Sequence, residues 1–337
     1  MNYSPKISII TPTWNRCHLI GRVYNCLQEQ TYKNFEWIVG DDGSDDETEI
    51  MVQKIASSSP FPIYYLRSSL HIGKPKIDNS ALSICTGEFI LWCDSDDILL
   101  PNALENLVSE WSNLPPESMN SFIGVAALYK TKSSVLNKQI TKGINFQCKL
   151  IDLEFKHLIE EDMLLFFKST YLKSNRFPEE DLIVPESSLW SKFYNQNILV
   201  ITDVLGIKEY NSVDSVSFHN KIKYARGHAF CLSITTPFHS KYLTFLQILG
   251  RTIKFIRYSF HGDLTNKQAS TMWGSVCPRF YYILCHVPAF LLVMYDVLRK
   301  KVERTHLEYL KNSINTYISY EKYMPSIDPN SDINQLK

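Results

Sequence analysis

A chain of 337 residues can hold a full α/β core with an appended region. Lys+Arg and Asp+Glu each number 35, and this balance gives no sign of nucleic acid or another polyanion as a partner. Eight cysteines occur without a CxxC pair, several in apolar contexts, so they read as reduced core thiols and not as a disulfide framework.

The first residues start no signal peptide, because a strand-like run follows them without a long apolar core. Residues 7–10 predict a first strand, ended by Thr11-Pro12-Thr13. Leu19, Ile20, Val23 and Leu27 then recur at helical spacing. Residues 35–39 predict a second strand, followed by the turn Asp41-Asp42-Gly43-Ser44-Asp45-Asp46. Asp45 or Asp46 can cap the helix that carries Ile50, Val52 and Ile55. Residues 63–66 predict a third strand, 79–85 a helix and 89–93 a fourth strand. Pro101 suits the first turn of a helix whose apolar face is Leu104, Leu107, Val108 and Trp111. Strands alternating with helices imply a mostly parallel sheet with both faces covered. Residues 123–128 continue that pattern. From 129 to 185 it fades, with a polar loop or irregular hairpin at 130–142. It returns as a helix at 187–195 and a strand at 198–202.

Beyond residue 235 the character changes. Residues 237–312 carry 11 Lys/Arg against 4 Asp/Glu. Tyr242, Phe245, Leu246, Leu249, Ile253 and Ile256 form an apolar stripe with Lys241, Arg251, Lys254 and Arg257 between. Residues 280–298 are strongly apolar, interrupted by His286, Pro288 and Asp296. This region fits a helical subdomain, a basic amphipathic anchor lying in a membrane interface, or a span. We divide the chain at this point, 1–235 and 236–337.

The strand Phe89-Ile90-Leu91-Trp92-Cys93 ends in Asp94-Ser95-Asp96-Asp97. Carboxylates there sit at the carboxyl edge of the sheet, where open α/β sheets bind ligands. Acids so close repel one another unless a cation compensates them, and hard oxygen ligands favour Mg²⁺ or Mn²⁺, ions that hold substrate phosphates. The first and second strands end at the same edge in Thr11-Pro12-Thr13-Trp14-Asn15-Arg16 and in the acidic turn. Read from the residues alone, Trp14 fits a core aromatic. Lys74 and Lys76 fit point charges for a diphosphate or a solvated surface.

The Pro-Thr-x-Asn-Arg opening, the Asp-Asp-Gly-Ser-x-Asp turn, the Thr86-Gly87-Glu88-Phe89-Ile90 lead-in and the Asp-x-Asp-Asp strand end occur in one order and spacing. Together they resemble glycosyltransferase family 2, closely over residues 6–106, loosely to 217 and not beyond. The resemblance implies a GT-A (Rossmann-like) α/β fold with a helical C-terminal extension. It also implies a nucleotide-sugar donor, UDP- or dTDP-linked, and a glycan or lipid-linked saccharide acceptor in surface-polysaccharide synthesis. It places Thr11, Trp14 and Arg16 at the nucleobase pocket, with Pro12 in the same donor-binding strand end and Lys76 toward the diphosphate. Asp41 or Asp42 accepts a hydrogen bond from the base. Asp94 and Asp96 form the metal motif for Mn²⁺ or Mg²⁺, with Asp96 as direct ligand, Asp94 nearer the ribose or a metal-bound water, and Ser95 as the neutral residue between. Glu186, in Val184-Pro185-Glu186-Ser187, matches the catalytic base, although Ser187 replaces the usual second acid. Glu180 and Asp181 are the fallback, and a first-turn helix acid is the plain alternative for Glu186. His219 or His228 can supply a late metal ligand. The Gln-x-x-Arg-Trp signature of processive synthases is missing, which points to addition of single sugars. The implied location is cytoplasmic, peripheral on the inner face of the membrane. A non-catalytic nucleotide-sugar scaffold is the alternative.

Overall fold

The computed structural model describes residues 4–130, 143–156, 162–208, 221–274, 276, 278–298 and 318–323. Strands β1 (Ile7–Thr13), β2 (Phe35–Asp41), β3 (Ile63–Ser68) and β4 (Phe89–Trp92) alternate with helices α1 (Cys17–Gln28), α2 (Thr48–Ala56) and α3 (Lys74–Ile84). After β5 (Asp97–Leu99) come α4 (Ala103–Ser112), the single turn α5 (Pro116–Met119) and β6 (Phe122–Lys130). Next are β7 (Phe146–Lys149), α6 (Leu150–Phe155), β8 (Met163–Lys168), α7 (Ser169–Lys173), α8 (Ser187–Trp190) and β9 (Asn197–Lys208). The C-terminal part is helical, with α9 (Ala225–His239), α10 (Phe245–His261), α11 (Asn266–Trp273), α12 (Arg279–Leu284) and α13 (His286–Leu298). A last strand, β10 (Ile318–Tyr323), closes the series.

All ten strands join one sheet in the order β10-β3-β2-β1-β4-β8-β6-β9-β5, with β7 beside β9. β1 pairs in parallel with both β2 and β4, and β2 with β3, so the strand order reverses at the β1–β4 boundary. Such a switch point opens a crevice at the carboxyl ends of the strands. β8 enters antiparallel between β4 and β6, and β5 and β7 add antiparallel partners to β9.

The period of two along each strand sorts side chains onto two faces. Ile7, Ile9, Trp37, Val39, Phe89 and Leu91 pack under α1, α2 and α4. Ile10, Ile38 and Ile90 pack on the other face with α3, α6 and α8. At the amino edge of the sheet the buried Glu36 accepts hydrogen bonds from Ser8 Oγ at 2.6 Å and from the backbone N–H and hydroxyl of Thr86, both at 2.7 Å. Lys6 neutralises it. This network fixes the Thr86-Gly87 turn that leads into the acidic strand.

A third core belongs to the C-terminal helices and includes Ala225 and Ala229 of α9 with Phe255, Trp273, Tyr282 and Ala289. The expected division at 235/236 therefore falls inside α9, which packs with α10 as one unit. Among the described residues seven thiols are free, five of them buried.

Candidate active site

The turn after β2 is built by its own acids. Asp41 Oδ1 accepts from Ser44 N at 2.8 Å, and its Oδ2 accepts from the Tyr65 hydroxyl at 2.5 Å. Burial and then the Asp41 contact push the Tyr65 phenol far above its ordinary pKa. Asp42 accepts from Ile72 N at 2.7 Å and Gly73 N at 2.9 Å, and His71 Nδ1 stands 2.9 Å from its Oδ2. Gly73 has φ 102°, and a Cβ there would meet Leu182 Cα at 2.5 Å. The Asp42 carboxylate thus pins the loop that starts α3, and only glycine fits the pinned position.

The end of β1 reaches both neighbours. Asn15 N donates to Ser44 Oγ at 2.8 Å, and Asn15 Oδ1 accepts from Asp45 N at 2.9 Å. Arg16 Nη1 donates to Ser95 Oγ at 3.0 Å and lies 3.3 Å from Asp96 Oδ2. Trp14 is 44% exposed and stacks on His71, with ring centroids 4.0 Å apart and planes at 14°. The core reading of Trp14 is set aside, and a flat aromatic platform stands at the crevice.

Lys74 joins the acids. Its Nζ lies 2.8 Å from Glu186 Oε1, 3.1 Å from Asp78 Oδ2 and 3.7 Å from Asp94 Oδ1. Burial disfavours its charge, and Asp78, Asp94 and Glu186 more than restore it, holding the ammonium well above the ordinary lysine value. Trp92 Nε1 donates to Asp78 Oδ1 at 3.1 Å. Burial raises the Asp78 carboxyl to about 6 against the pull of Lys74. Burial would also raise Asp94, but Lys74, Lys208 and Arg16 outweigh it and keep Asp94 below the usual carboxylate range. Asp97 goes the other way. Burial and then the charge of Asp94 push it up to about 8, with Asp96 adding to the rise and Lys208 opposing it.

Several expected donor contacts are placed differently. Thr11 is buried, donates to the Cys93 carbonyl at 2.8 Å and accepts from Trp37 Nε1 at 2.9 Å, so its hydroxyl braces β1 against β4 and β2. Asp41 is likewise committed inside the turn. Pro12 is half-buried, in register with Gly40. Arg16 turns toward Ser95 and Asp96. Of the two lysines offered for a diphosphate, Lys74 is the one that contacts the acids. Among the fallback acids, Asp181 is buried and accepts from Gly227 N at 3.1 Å and Leu182 N at 2.8 Å, while Glu180 pairs with Arg226 at 3.5 Å. Glu186 reaches the cluster instead. His228 packs against Tyr258, ring centroids 5.4 Å apart, and burial lowers its pKa to about 4. His219 lies outside the described residues. Sequence reasoning missed His71, Asp78 and Lys208. Asp78 was detectable as the i+4 partner of Lys74. Lys208 meets the acids only because β5 pairs Asp97 with it.

The acids at this edge are the residues to weigh as ligands of a divalent cation. Asp94 Oδ1 and Asp97 Oδ1 are buried without a hydrogen-bond partner, and the nearest cation to Asp94 Oδ1, the Lys74 ammonium, stands 3.7 Å away. Among the described residues no group of three His, Cys, Asp or Glu side chains is placed to hold a metal ion. One or two carboxylates with room for phosphate oxygens is the arrangement that Mg²⁺-type ions favour.

Residues 8–167 match the family model for glycosyl transferase family 2. Over these residues the chain carries a glycosyl transferase family 2 domain. Among curated members it is 29% identical over 215 residues to the GalNAc(5)-diNAcBac-PP-undecaprenol beta-1,3-glucosyltransferase of Campylobacter jejuni, covering 63% of this chain and 67% of that protein. It is 37% identical over 103 residues to the UDP-Glc:alpha-D-GlcNAc-diphosphoundecaprenol beta-1,3-glucosyltransferase WfgD of Escherichia coli, covering 31% of this chain and 40% of that enzyme. The match to WfgD thus spans less than two thirds of its length. Among solved structures, Staphylococcus aureus TarS 1–349 in complex with UDP-GlcNAc aligns at 18% identity and TM-score 0.61, over 88% of this chain and 92% of that one. The mannosyltransferase PcManGT of Pyrobaculum calidifontis in complex with GDP-Man and Mn²⁺ aligns at 19% identity and TM-score 0.52, over 90% and 82%. The GT-A fold expected of the family 2 motifs is the observed one.

Proposed function

We propose that this glycosyltransferase moves one sugar, with inversion, from a UDP- or dTDP-sugar to a glycan or lipid-linked saccharide acceptor in surface-polysaccharide synthesis. The observation that carries this reading is the position of Lys74. One ammonium touches Asp94, on the donor side, and Glu186, on the acceptor side.

The Trp14 ring, backed by His71, stacks against the nucleobase. Asp94 and Asp96 would hold Mn²⁺ or Mg²⁺, which when bound would supply Lewis-acid stabilisation of the departing diphosphate. Arg16 orients Ser95 and Asp96, and Lys208 offsets the charge of Asp94 and Asp97. Glu186 takes the proton of the acceptor hydroxyl as its oxygen bonds to the anomeric carbon. The bond from that carbon to the diphosphate breaks on the opposite face, and its electron pair leaves with the nucleoside diphosphate. No covalent enzyme intermediate forms. An incoming diphosphate competes with Glu186 for Lys74, so donor binding frees the carboxylate for the acceptor. The lipid-linked reading of the acceptor follows what the Campylobacter and Escherichia relatives are named for. It places the chain on the cytoplasmic side, in peripheral contact with the inner face of the membrane.

A panel of nucleotide sugars incubated with Mn²⁺, with and without chelator, tests the reading. We expect cation-dependent release of UDP or dTDP from one donor and loss of release in Glu186→Gln. Tight nucleotide-sugar binding without turnover, on any acceptor, supports the scaffold alternative and contradicts ours.

A further inference from the structure

In an ordinary surface helix the apolar stripe faces the core and the charges face water. α12 and α13 are arranged the other way. Their inward positions are Tyr282, Cys285, Ala289 and Asp296, at spacings of three, four and seven. Asp296 is fully buried and ion-paired: Arg257 of α10 donates to it through Nε and Nη2, both at 2.6 Å, and His261 Nε2 lies at 3.0 Å. Pinned by its one acid, the helix turns large apolar side chains outward. Phe280, Ile283, Val287, Phe290 and Leu291 are each more than half exposed, and Val287 reaches 68%. Phe260 of α10 joins them across an apolar groove of about 320 Å³ lined also by His286.

Residues 279–297 are long and apolar enough to cross a membrane by length and composition alone. The Arg257–His261–Asp296 cluster argues against crossing, because a spanning helix would have to carry that ion pair and α10 into hydrocarbon. A second copy of the chain is also disfavoured. Residues 221–298 hold nine Lys/Arg against two Asp/Glu, so a dimer through this face would bring two strongly basic regions together. The same surplus complements an anionic bilayer.

We propose that the outward face of α12–α13, with Phe260, is a monotopic docking surface. It lies flat in the headgroup–acyl boundary of an anionic membrane, with acyl chains entering the groove. This deepens the lipid-linked reading of the acceptor and rests on it. Apolar area and basic charge would act together, as in interfacial helices.

The full chain is pelleted with vesicles of phosphatidylcholine alone and of phosphatidylcholine mixed with phosphatidylglycerol, beside the double variant Val287→Glu/Leu291→Glu. The outward positions leave the buried pins untouched. We expect binding to the mixed vesicles, weakened by salt, and a loss of about tenfold or more in the variant. Equal pelleting of both forms, or none of the wild type, overturns the proposal. So does a wild-type dimer in sedimentation that the variant dissolves, which would identify a second copy as the occupant. UDP binding and transfer to a lipid-free saccharide, measured on the same preparations, report on the active site independently of the vesicles.

Discussion

Glu186 Oε1 accepts a hydrogen bond from Lys74 at 2.8 Å, while its side chain stays about half exposed. A base so placed can meet an acceptor without a change of fold. Glu186→Gln should lower kcat by about 10²–10⁴-fold without weakening nucleotide binding, since it also removes the competitor of the diphosphate for Lys74, which steady-state kinetics and calorimetry on one preparation will show. Trp14 makes the complementary prediction on the donor side. Trp14→Ala should cost about 1–3 kcal/mol of UDP affinity, the worth of a stacked base, with little change in thermal stability. An unchanged affinity would remove Trp14 from the site. At this scale the sequence was legible where a residue sits in a motif at a strand end: Arg16, Asp94, Asp96 and Trp14 all stand at the crevice. It misled where the period of two turns a side chain inward, as for Thr11, whose hydroxyl is spent on Trp37 and Cys93. His71 and Lys208 carry no local pattern at all, since a loop and a long-range strand pairing bring them in.

Among the elements, the link between β1, β2 and the turn before β4 depends on Glu36. Burial alone would raise its pKa, and Lys6, Ser8 and Thr86 outweigh burial and hold it low. A carboxylate held low in the fold contributes stability above its unfolded pKa, and loses it as pH falls through the folded value. Glu36→Gln should therefore cost about 2–3 kcal/mol at neutral pH. The difference from wild type should shrink below about pH 4. Urea denaturation across pH checks both parts, and a pH-independent difference would assign the effect to shape alone. Asp181, which anchors the start of α9, has the opposite sign. Burial raises it to about 6 despite the Gly227 and Leu182 N–H groups. The folded chain then binds more protons than the unfolded one between roughly pH 4 and 6, and stability falls as pH rises through that window. Asp181→Asn should flatten this slope in the same titration. The strands β1 to β4 and β6 were readable because apolar runs and turn signals alternate. β5 has three residues, and β8 is a short apolar run with no period to separate strand from helix. Both owe their pairing to β9 and β6, far away in the chain.

For the molecule as a whole, one sheet edge collects what the chain spreads over residues 11–208. The parallel β2-β1-β4 order brings the acidic turn, the Arg16 corner and the Asp94–Asp97 end together, and the antiparallel additions deliver Lys208. This much follows from the alternation of strands and helices. The placement of Glu186 beside Lys74 did not, because it depends on how the segment 174–190 returns across α3. The C-terminal helices were legible as apolar and basic, but only the buried Asp296 tells which way their apolar side faces. The central claim is that acids from this edge assemble a sugar nucleotide around a divalent ion. Its most direct test is calorimetric titration of UDP into the wild type and Asp96→Asn, each with Mn²⁺ and with chelator. The account predicts tight binding only for the wild type with Mn²⁺, and weak, cation-independent binding for the variant. Equal affinity in all four titrations would contradict it.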